Sequence, residues 1–292
     1  MKKLCIGCGN EFITNRSSRQ YCGKTCSNKA IACEREMKKK TIIPKIIWSC
    51  GGGVQSSAIA ALIIKGKLPK PDYSITVDVG YEKTSTWKNI NEVLQPSLAT
   101  VGVNLQIIKT LDFRDNNLFD NTNHLVLPAY RLNEDGSKVK FNTHCSGGWK
   151  MKVVMKWLRQ QGVQTAYNWI GISTDERRRI KHSPYVWYTW GYPLIKLGMD
   201  RSACHMIIHD MGWKRVLHSS CYICPQQNDE QWRFTKHHYP ADWEQAVKID
   251  ENIRDRDPRL FLHRSCKPLE DWITSSPGLE ELSCGGGCEY CI

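Results

Sequence analysis

The sequence predicts a doubly wound α/β fold with a mainly parallel sheet, to which small cysteine-rich metal-binding modules are added at both ends. From about residue 42 onward, short apolar runs typical of strands alternate with segments typical of helices. Three consecutive glycines stand between the first such strand and the first such helix. The 14 cysteines are concentrated near both termini and in the middle of the chain.

The predicted elements follow one another in regular order. Strands are expected over residues 42–48, 73–78, 103–108 and 168–172, and helices over 56–64, 84–101 and 149–161. Pro96 is expected to break or kink the second helix. The long polar stretch over residues 112–143 is expected to be a binding loop or an insertion. Because parallel strands end at one edge of the sheet, ligands are expected at that edge.

At 292 residues the chain exceeds one average domain. We expect a zinc-finger module over residues 1–32 and a charged linker over 33–43. A nucleotide-binding α/β domain is expected over 44–235, followed by a helical and cysteine-rich region over 236–292.

The charge balance favours an anionic partner. Lys and Arg number 41 against 29 Asp and Glu, which gives a formal net charge of +12. Nucleic acid is the commonest partner of such a chain, whereas plain solubility or a small phosphorylated ligand is the alternative. No apolar run approaches the ~20 residues of a membrane span, and the first residues lack the apolar core of a signal peptide. A cytoplasmic protein without a membrane partner is therefore expected.

A glycine-rich turn follows the first predicted strand, which ends at Ser49. Gly51–Gly53 form the turn, and Ser56 and Ser57 are expected to cap the helix behind it. Glycines allow backbone N–H groups to approach a phosphate, and a helix N-terminus adds unpaired donors and a favourable dipole. The turn predicts a phosphate site; an ordinary strand–helix turn without a ligand is the alternative.

The N-terminal segment carries two cysteine pairs, Cys5 with Cys8 and Cys22 with Cys26. Two such pairs about a dozen residues apart can place four thiolates around Zn²⁺. A segment this short cannot bury a useful core, so the metal is expected to supply its folding energy. Contact with nucleic acid and a purely structural role remain equal alternatives for this module.

The middle of the chain predicts a second metal centre. Cys221 and Cys224 form a chelating pair, and Cys145 begins a helix whose N-terminus is expected to lower the pKa of its thiol. Three converging thiolates favour an iron–sulfur cluster, with zinc as the competing interpretation. The candidates for a fourth ligand are Cys204, Cys284, Cys288 and Cys291. Alternatively, the C-terminal three form a second zinc site with Cys266.

Basic and aromatic residues follow the fourth predicted strand. Arginines occupy positions 177–179, and the aromatic and basic residues beyond them are Tyr185, Trp187, Tyr188, Trp190, Tyr192, Trp213, Lys214, Arg215, Trp232, Arg233, Lys236, His237 and His238. Interleaved rings and cations suit base stacking and phosphate contact. The alternatives are a solvated arginine loop and aromatic side chains that belong to the core.

Five motifs carry a resemblance to a known family. They are residues 49–56 (Ser-Cys-Gly-Gly-Gly-Val-Gln-Ser), 78–82 (Asp-Val-Gly-Tyr-Glu), 145–150 (Cys-Ser-Gly-Gly-Trp-Lys), 171–179 (Gly-Ile-Ser-Thr-Asp-Glu-Arg-Arg-Arg) and 220–225 (Ser-Cys-Tyr-Ile-Cys-Pro). In order and approximate spacing they resemble the PP-loop ATP-pyrophosphatase superfamily, in its phosphoadenosine phosphosulfate (PAPS) reductase-like branch. The phage and mobile-element type is most similar, here with an added N-terminal zinc finger. The resemblance covers residues 44 to 265.

The resemblance implies an adenine nucleotide alpha hydrolase-like fold that binds ATP or PAPS, with Mg²⁺ as a candidate ion. It implies the nucleotide-binding residues Ser49, Gly51, Gly52, Gly53, Ser56, Ser57, Asp78, Glu82, Glu176, Arg178 and Arg179. The reaction is expected to involve Cys145, Cys221, Cys224 and Arg179. The family's loop usually has a lysine and an aspartate where Val54 and Gln55 stand here, and a serine in place of Gly51. The reductases' C-terminal Glu-Cys-Gly-Leu-His motif is also missing from this sequence.

The expected function is adenylation and thiolation of a nucleic acid, tRNA or DNA, with a [4Fe-4S] cluster relaying sulfur from a sulfur donor protein. One alternative is a PAPS or adenosine phosphosulfate reductase, which requires a reactive free cysteine. The other is a non-catalytic zinc-containing accessory protein that binds nucleic acid, and it would release no pyrophosphate from any nucleotide.

Overall fold

A computed structural model describes residues 1–5, 10–28, 43–113, 129–141 and 145–274. The chain divides into two compact units, Met1–Pro44 and Lys45–Ile292, each of which is described by itself. Four of the predicted metal ligands lie outside the described residues, namely Cys8, Cys284, Cys288 and Cys291. The predicted domain boundaries at residues 32, 43 and 235 stay predictions.

The first unit is built on a short hairpin. Strand β1 (Lys2–Leu4) pairs antiparallel with β2 (Glu11–Ile13), and residues 24–28 are helical. Cys5, directly after β1, is only 2 % exposed. Among the described residues of this unit only Cys5 and Thr14 are buried, so the buried thiol is consistent with a metal-organised module.

The second unit contains eight described strands. They are β3 (Lys45–Ser49), β4 (Tyr73–Asp78), β5 (Leu105–Lys109), β6 (Tyr130–Leu132), β7 (Lys138–Lys140), β8 (Ala166–Ile170), β9 (Tyr188–Gly191) and β10 (Leu260–Phe261). Five of them form a sheet in the order β5-β4-β3-β8-β9, and every pairing in it is parallel. The predicted α/β fold with a mainly parallel sheet is confirmed.

The helices of this unit are α1 (Val54–Ile64), α2 (Thr84–Lys88), α3 (Gln95–Ala99), α4 (Lys152–Gln160), α5 (Pro193–Lys196), α6 (Arg201–His209), α7 (Asp229–His238), α8 (Pro240–Arg256) and α9 (Leu269–Thr274). A π-helical segment, Asn89–Leu94, joins α2 to α3, and another, Ser146–Met151, leads into α4. Short 3-10 turns cover Thr110–Asp112 and Thr174–Arg179. No helix of the described residues is long and apolar enough to cross a membrane.

Neighbouring residues of β3 show that the sheet is covered on both faces. Trp48 packs with α1 and α6, whereas Ile47 packs with α4, and both side chains are fully buried. Successive side chains of a strand point to opposite faces, so one strand contributes to two cores. From the central strand β3 the chain runs to β4 and β5 on one side and later to β8 and β9 on the other. The strand order therefore reverses beside β3, which is where such folds bind ligands.

The polar stretch over residues 112–143 contains a small sheet in its described part. Strands β6 and β7 form an antiparallel hairpin, and β10 pairs with β6 from the far end of the unit. A third core, with Trp232, Trp243 and Leu262 among its members, lies under this region.

The predicted break at Pro96 is wrong in its position and its form. The helical path continues from Thr84 to Ala99, and its irregularity is the π-helical segment before the proline. Pro96 lies in the first turn of α3, where a missing N–H costs little. The described strands also begin or end up to three residues from their predicted limits.

Candidate nucleotide and thiol site

The glycine turn lies at the carboxyl end of β3, beside the point where the strand order reverses. Gly53 is the N-cap of α1, and no side chain caps this helix. The expected capping by Ser56 and Ser57 is therefore wrong, because α1 begins at Val54 and both serines lie inside it. The first N–H groups of a helix have no intrahelical partner, so they are left for a ligand.

The hydroxyl of Ser56 shapes the turn. Its oxygen accepts a hydrogen bond from the N–H of Gly51 at 2.9 Å, which folds the turn back over the start of α1. The side chain of Ser56 also forms a hydrogen bond with the thiol of Cys50. A contact of Ser56 with a phosphate stays a prediction.

At two of the three glycine positions an added side chain would collide with its neighbours. Gly52 has φ +70°, and a Cβ on it would lie 2.7 Å from Cγ2 of Thr86. A Cβ on Gly53 would lie 2.5 Å from Oγ and 3.3 Å from the backbone nitrogen of Ser219. The chain at Ser219 therefore lies directly against the turn.

Ser57 and Ser49 have structural partners. Ser57 is fully buried, and its hydroxyl accepts from Nδ2 of Asn89, which also donates to the carbonyl of Gly52 at 2.9 Å. Ser49 donates to Oδ1 of Asn168 at 2.9 Å. Ser49 also forms a hydrogen bond with Tyr188. Burial raises the pKa of Tyr188, and this hydrogen bond lowers it to a smaller extent. Both serines support the turn from within the protein, and their direct contact with a nucleotide stays a prediction.

The carboxyl end of β8 is tied to α1 by Gln55. Its Nε2 lies 3.3 Å from Oγ of Ser173 and 3.3 Å from Oε2 of Glu176. The other oxygen of Glu176 forms an ion pair of 2.6 Å with Arg179, while Arg178 is exposed. Glu176 therefore links the loop of arginines to the first turn of α1 and pairs with one of those arginines, while contact of the arginines with a nucleotide stays a prediction.

The carboxyl end of β4 carries Asp78 and Glu82. Asp78 accepts from the N–H of Gly80 at 2.7 Å. Glu82 has a side chain that is 5 % exposed, accepts from the N–H of Val79, and forms an ion pair of 3.0 Å with Lys150. Burial alone would lower the pKa of Lys150, but Glu82 and the thiols of Cys221 and Cys145 raise it above its usual value.

The segment that carries Cys221 runs antiparallel to the end of β4. The N–H of Tyr222 donates to the carbonyl of Tyr81 at 2.8 Å, and the N–H of Lys83 donates to the carbonyl of Ser220 at 3.2 Å. Between these bonds Cys221 stands opposite Glu82. The paired cysteines and the phosphate turn therefore lie at one edge of the sheet.

The thiols of Cys145, Cys221 and Cys224 interact electrostatically with one another. Burial raises the pKa of Cys221 to about 12 and also raises those of Cys145 and Cys224. The expected lowering of the Cys145 pKa by a helix N-terminus is therefore wrong, because removal from water outweighs it. Without a metal these groups are thiols, whereas a bound metal would favour their deprotonation.

Cys204 and Cys266 lie in different surroundings. Cys204 is fully buried in the core beside α1, and burial raises its pKa to about 12; the charged groups that act on it come from residues 175–201. Cys266 has φ 54° and is 6 % exposed. The hydroxyl of Tyr130 interacts with both Cys266 and Cys224. Of these two cysteines, Cys266 is the one that shares an interacting residue, Tyr130, with a central thiol.

The N-terminal unit contains a compact set of thiols. The Sγ atoms of Cys5, Cys22 and Cys26 all lie within 4.8 Å of one another. The N–H of Cys22 points to Sγ of Cys5 at 3.3 Å. Three of the four predicted zinc ligands are therefore brought together by the fold, and the fourth, Cys8, lies outside the described residues.

Many of the aromatic side chains predicted for nucleic-acid contact are core residues. Tyr188 is 1 % exposed and Trp232 is fully buried. Trp187 is covered by the guanidinium of Arg159, which lies 3.6 Å from its ring centre. In contrast, Lys214, Arg215, Lys236, His237 and His238 are exposed.

Sequence reasoning missed four residues of this site: Lys83, Asn89, Lys150 and Ser219. Lys150 is the last residue of the motif over residues 145–150, and only this position in the motif could have indicated a role for it. The others act through contacts between segments far apart in the chain, as when Ser219 packs on Gly53. Burial lowers the pKa of Lys83 to about 8, although Cys224 and Asp242 raise it.

The solved structures that are similar to this chain include two at low sequence identity. One is a phosphoadenylyl-sulfate (PAPS) reductase from Candida auris in a phosphate complex, with 14 % identity, a TM-score of 0.39 and coverage of 64 % of this chain and 84 % of that one. The other is the U34-tRNA thiolase NcsA from Methanococcus maripaludis with its [4Fe-4S] cluster, with 16 % identity, a TM-score of 0.40 and coverage of 94 % and 88 %.

No protein-family model and no curated protein matches the sequence. At such low identities and TM-scores, the functional argument rests on the residues of the site.

Proposed function

We propose that this protein is a PP-loop nucleotide alpha hydrolase that uses ATP to adenylate a nucleic acid and then exchanges the activated oxygen for sulfur. One observation carries the proposal. The segment around Cys221 contacts the phosphate turn through Ser219 and pairs with the end of β4 opposite Glu82. Thiols and the anion-binding turn therefore share one site.

The turn supplies the groups that nucleotide binding needs. The N–H groups at the start of α1 and the hydroxyl of Ser56 would hold phosphate oxygens. Val54 supplies no charge, but Lys150 interacts electrostatically with Cys50, directly before the turn, and Arg179 lies in the 3-10 turn that follows β8. Cations from neighbouring segments can thus offset the charge of the departing pyrophosphate.

The proposed reaction has two steps. A carbonyl oxygen of a base attacks the α-phosphorus of ATP, and the bond to the bridging oxygen breaks, so pyrophosphate leaves. Sulfur at the oxidation level of hydrosulfide then attacks the activated carbon, and AMP departs with the oxygen. Neither step changes the net oxidation state, and both depend mainly on positioning and charge stabilisation.

Among the described residues, the thiols of Cys145, Cys221 and Cys224 do not all lie within 4.8 Å of one another, so the proposal for them is a cluster and not a single ion. Cys145, Cys221 and Cys224 would hold a [4Fe-4S] cluster, which supplies an iron position for sulfur when bound. Burial disfavours their free thiolates, so a bound metal is what would keep them deprotonated. Lys150 stands beside them and offsets negative charge. Glu82 orients that lysine through the 3.0 Å ion pair.

Pyrophosphate release tests the proposal. Anaerobically purified protein is incubated with ATP and either bulk tRNA or single-stranded DNA, and pyrophosphate and AMP are measured. We expect release that depends on nucleic acid. Ser56→Ala should weaken ATP binding roughly tenfold, because it removes a hydroxyl that binds a charged phosphate. Ser202→Ala, an exposed serine in α6, is the matched control.

Two outcomes would contradict the proposal. Absence of pyrophosphate with every nucleotide and both nucleic acids would indicate a non-catalytic protein. Release of sulfite from PAPS without nucleic acid would indicate a sulfonucleotide reductase instead.

A further inference from the structure

The side chain of Asn89 holds the glycine turn from one side. Its Nδ2 donates to the carbonyl oxygen of Gly52 at 2.9 Å and to the hydroxyl oxygen of Ser57 at 3.0 Å. A carbonyl oxygen can only accept, so the nitrogen of the amide must face it, and both of its N–H groups are used. Asn89 is the first residue of the π-helical segment Asn89–Leu94, and such irregular helical turns are frequent at functional sites.

The hydrogen bond from Asn89 also determines the direction of the next N–H group. The described residues contain no cis peptide bond. In a planar trans peptide the C=O and the N–H point in opposite directions. The carbonyl of Gly52 points to Asn89, so the N–H of Gly53 points away from it.

The N–H of Gly53 is left without a partner. Gly53 is a buried residue, yet within the described residues its N–H makes no hydrogen bond. The same is true of the N–H groups of Val54 and Gln55, the first two residues of α1. Buried N–H groups without a partner are rare and costly in proteins. An anion bound at the turn would satisfy them.

The peptide between Gly52 and Gly53 is the one most able to turn over, because neither residue has a Cβ. A rotation by half a turn would exchange its two groups, and the carbonyl oxygen would stand where the N–H now is. That oxygen would repel an anion, whereas adjacent N–H groups attract one. The rotated peptide would also bring its N–H against the amide of Asn89, which is a donor. Asn89 therefore favours the orientation that suits an anion.

We propose that Asn89 is a positioning residue of the phosphate turn, which holds the N–H of Gly53 toward the phosphate oxygens of the nucleotide. The N–H of Gly53 then acts together with those of Val54 and Gln55. Asn89 acts through Gly52 and does not itself contact the nucleotide. The inference rests on the proposed function for the identity of the anion. The orientation of the peptide rests on the hydrogen bond of Asn89 alone.

Calorimetry with the full chain tests this role by comparing ATP with adenosine. Asn89→Ala should weaken ATP binding roughly tenfold, because a donor to a charged oxygen is no longer held in place. It should leave the affinity for adenosine unchanged, since adenosine carries no phosphate. The matched control is Asn91→Ala, an exposed asparagine of the same π-helical segment, which should change neither affinity.

Unchanged ATP affinity in Asn89→Ala, or an equal loss in Asn91→Ala, would overturn the proposal. An equal loss of adenosine affinity in Asn89→Ala would also overturn it, because the role would then be structural only. If Asn89→Ala melts at a lower temperature than the parent protein, the comparison is repeated with Asn89→Leu, which has no donor but restores most of the side-chain volume.

The proposed function and the role of Asn89 fail in different measurements. Absence of pyrophosphate release in the presence of nucleic acid would reject the proposed reaction, and the loss of ATP affinity in Asn89→Ala would still stand. Normal pyrophosphate release by the parent protein, together with unchanged ATP affinity in Asn89→Ala, would reject the positioning role alone.

Discussion

Gly52 is the residue at which the phosphate turn tolerates substitution least. It combines a positive φ of 70° with two side-chain neighbours closer than 3 Å to a new Cβ. Gly52→Ala should weaken ATP binding about tenfold or more, because the turn must move to relieve the contact with Thr86 and Ile90. Isothermal calorimetry measures this change.

Gly66 provides the matched control for that substitution. It has φ +68°, but nothing lies within 4 Å of an added Cβ, and it follows the far end of α1. Gly66→Ala should cost about 1 kcal/mol of stability through its backbone strain and leave ATP affinity unchanged. Equal losses of affinity in the two variants would show that the turn does not bind the nucleotide.

Single residues also show what the sequence could not predict about the site. The strand ends and the glycines were predictable, because short apolar runs and turn residues are local signals. The lack of charge at Val54 and Gln55 was visible as well. That Lys150 places an ammonium near the turn, and that Gln55 bridges to Glu176, depends on segments about 100 residues apart. No local pattern contains such contacts.

At the scale of elements, Asp250 of α8 fixes β10 and α9. Its side chain is 1 % exposed, and its two oxygens accept from the N–H groups of Leu262 at 2.7 Å and Leu269 at 3.0 Å. It also pairs with Arg254. Asp250→Ala should therefore lower the free energy of unfolding by about 3–5 kcal/mol, because two buried N–H groups and a cation lose their partner.

Urea denaturation measures that loss, and Glu251→Ala, an exposed neighbour on the same helix, is the control. Amide exchange should accelerate selectively at Leu262 and Leu269. If both variants unfold at the same urea concentration, Asp250 does not hold these elements together.

The elements differ in how far sequence could predict them. Strand β3 and helix α1 follow from an apolar run, a glycine turn and an alanine-rich helix, all of which are adjacent in the chain. The sequence predicts a binding loop or an insertion where β6 and β7 form a hairpin, because both strands are only three residues long and neither is buried. The partner strand β10 lies more than 100 residues later in the chain. An ion pair of 3.3 Å between Arg131 of β6 and Asp257, shortly before β10, also joins these two segments. Such pairing depends on tertiary structure.

At the scale of the whole molecule, stability should fall in mild acid through His263. This side chain is 1 % exposed and stacked on Trp272, and burial lowers its pKa to about 4 despite the neighbouring Asp229. Between about pH 6.5 and 4 the unfolded chain binds a proton at this residue and the folded chain does not, so stability decreases as pH falls. The total effect is about 3 kcal/mol.

Urea denaturation at pH 7 and pH 5 measures this dependence. His263→Gln should be less stable at pH 7 and should lose less stability between the two pH values than the parent protein. Carboxylates with a lowered pKa, such as Asp72, are protonated only below this pH range, so they do not contribute to the difference in stability between pH 7 and pH 5. An unchanged pH dependence in His263→Gln would assign the acid sensitivity to another group.

The whole chain should carry two independent metal centres. Thiols within 4.8 Å of one another suit a single zinc ion in the first unit, whereas the three central cysteines are expected to bind iron and sulfur. Cys22→Ser should therefore lose about one zinc per chain and retain iron. Cys221→Ser should lose iron and the brown absorption of anaerobically reconstituted protein and retain zinc.

Metal analysis of both variants, together with the parent protein, makes this measurement. Cys204→Ser is the matched control, because that thiol is buried in a core away from the central cysteines, and both metals should remain. Limited proteolysis should then show cleavage within residues 1–28 only in Cys22→Ser, because the metal supplies the folding energy of so short a segment. Zinc as the sole metal after anaerobic reconstitution would exclude the cluster, and loss of both metals from either variant would contradict independent sites.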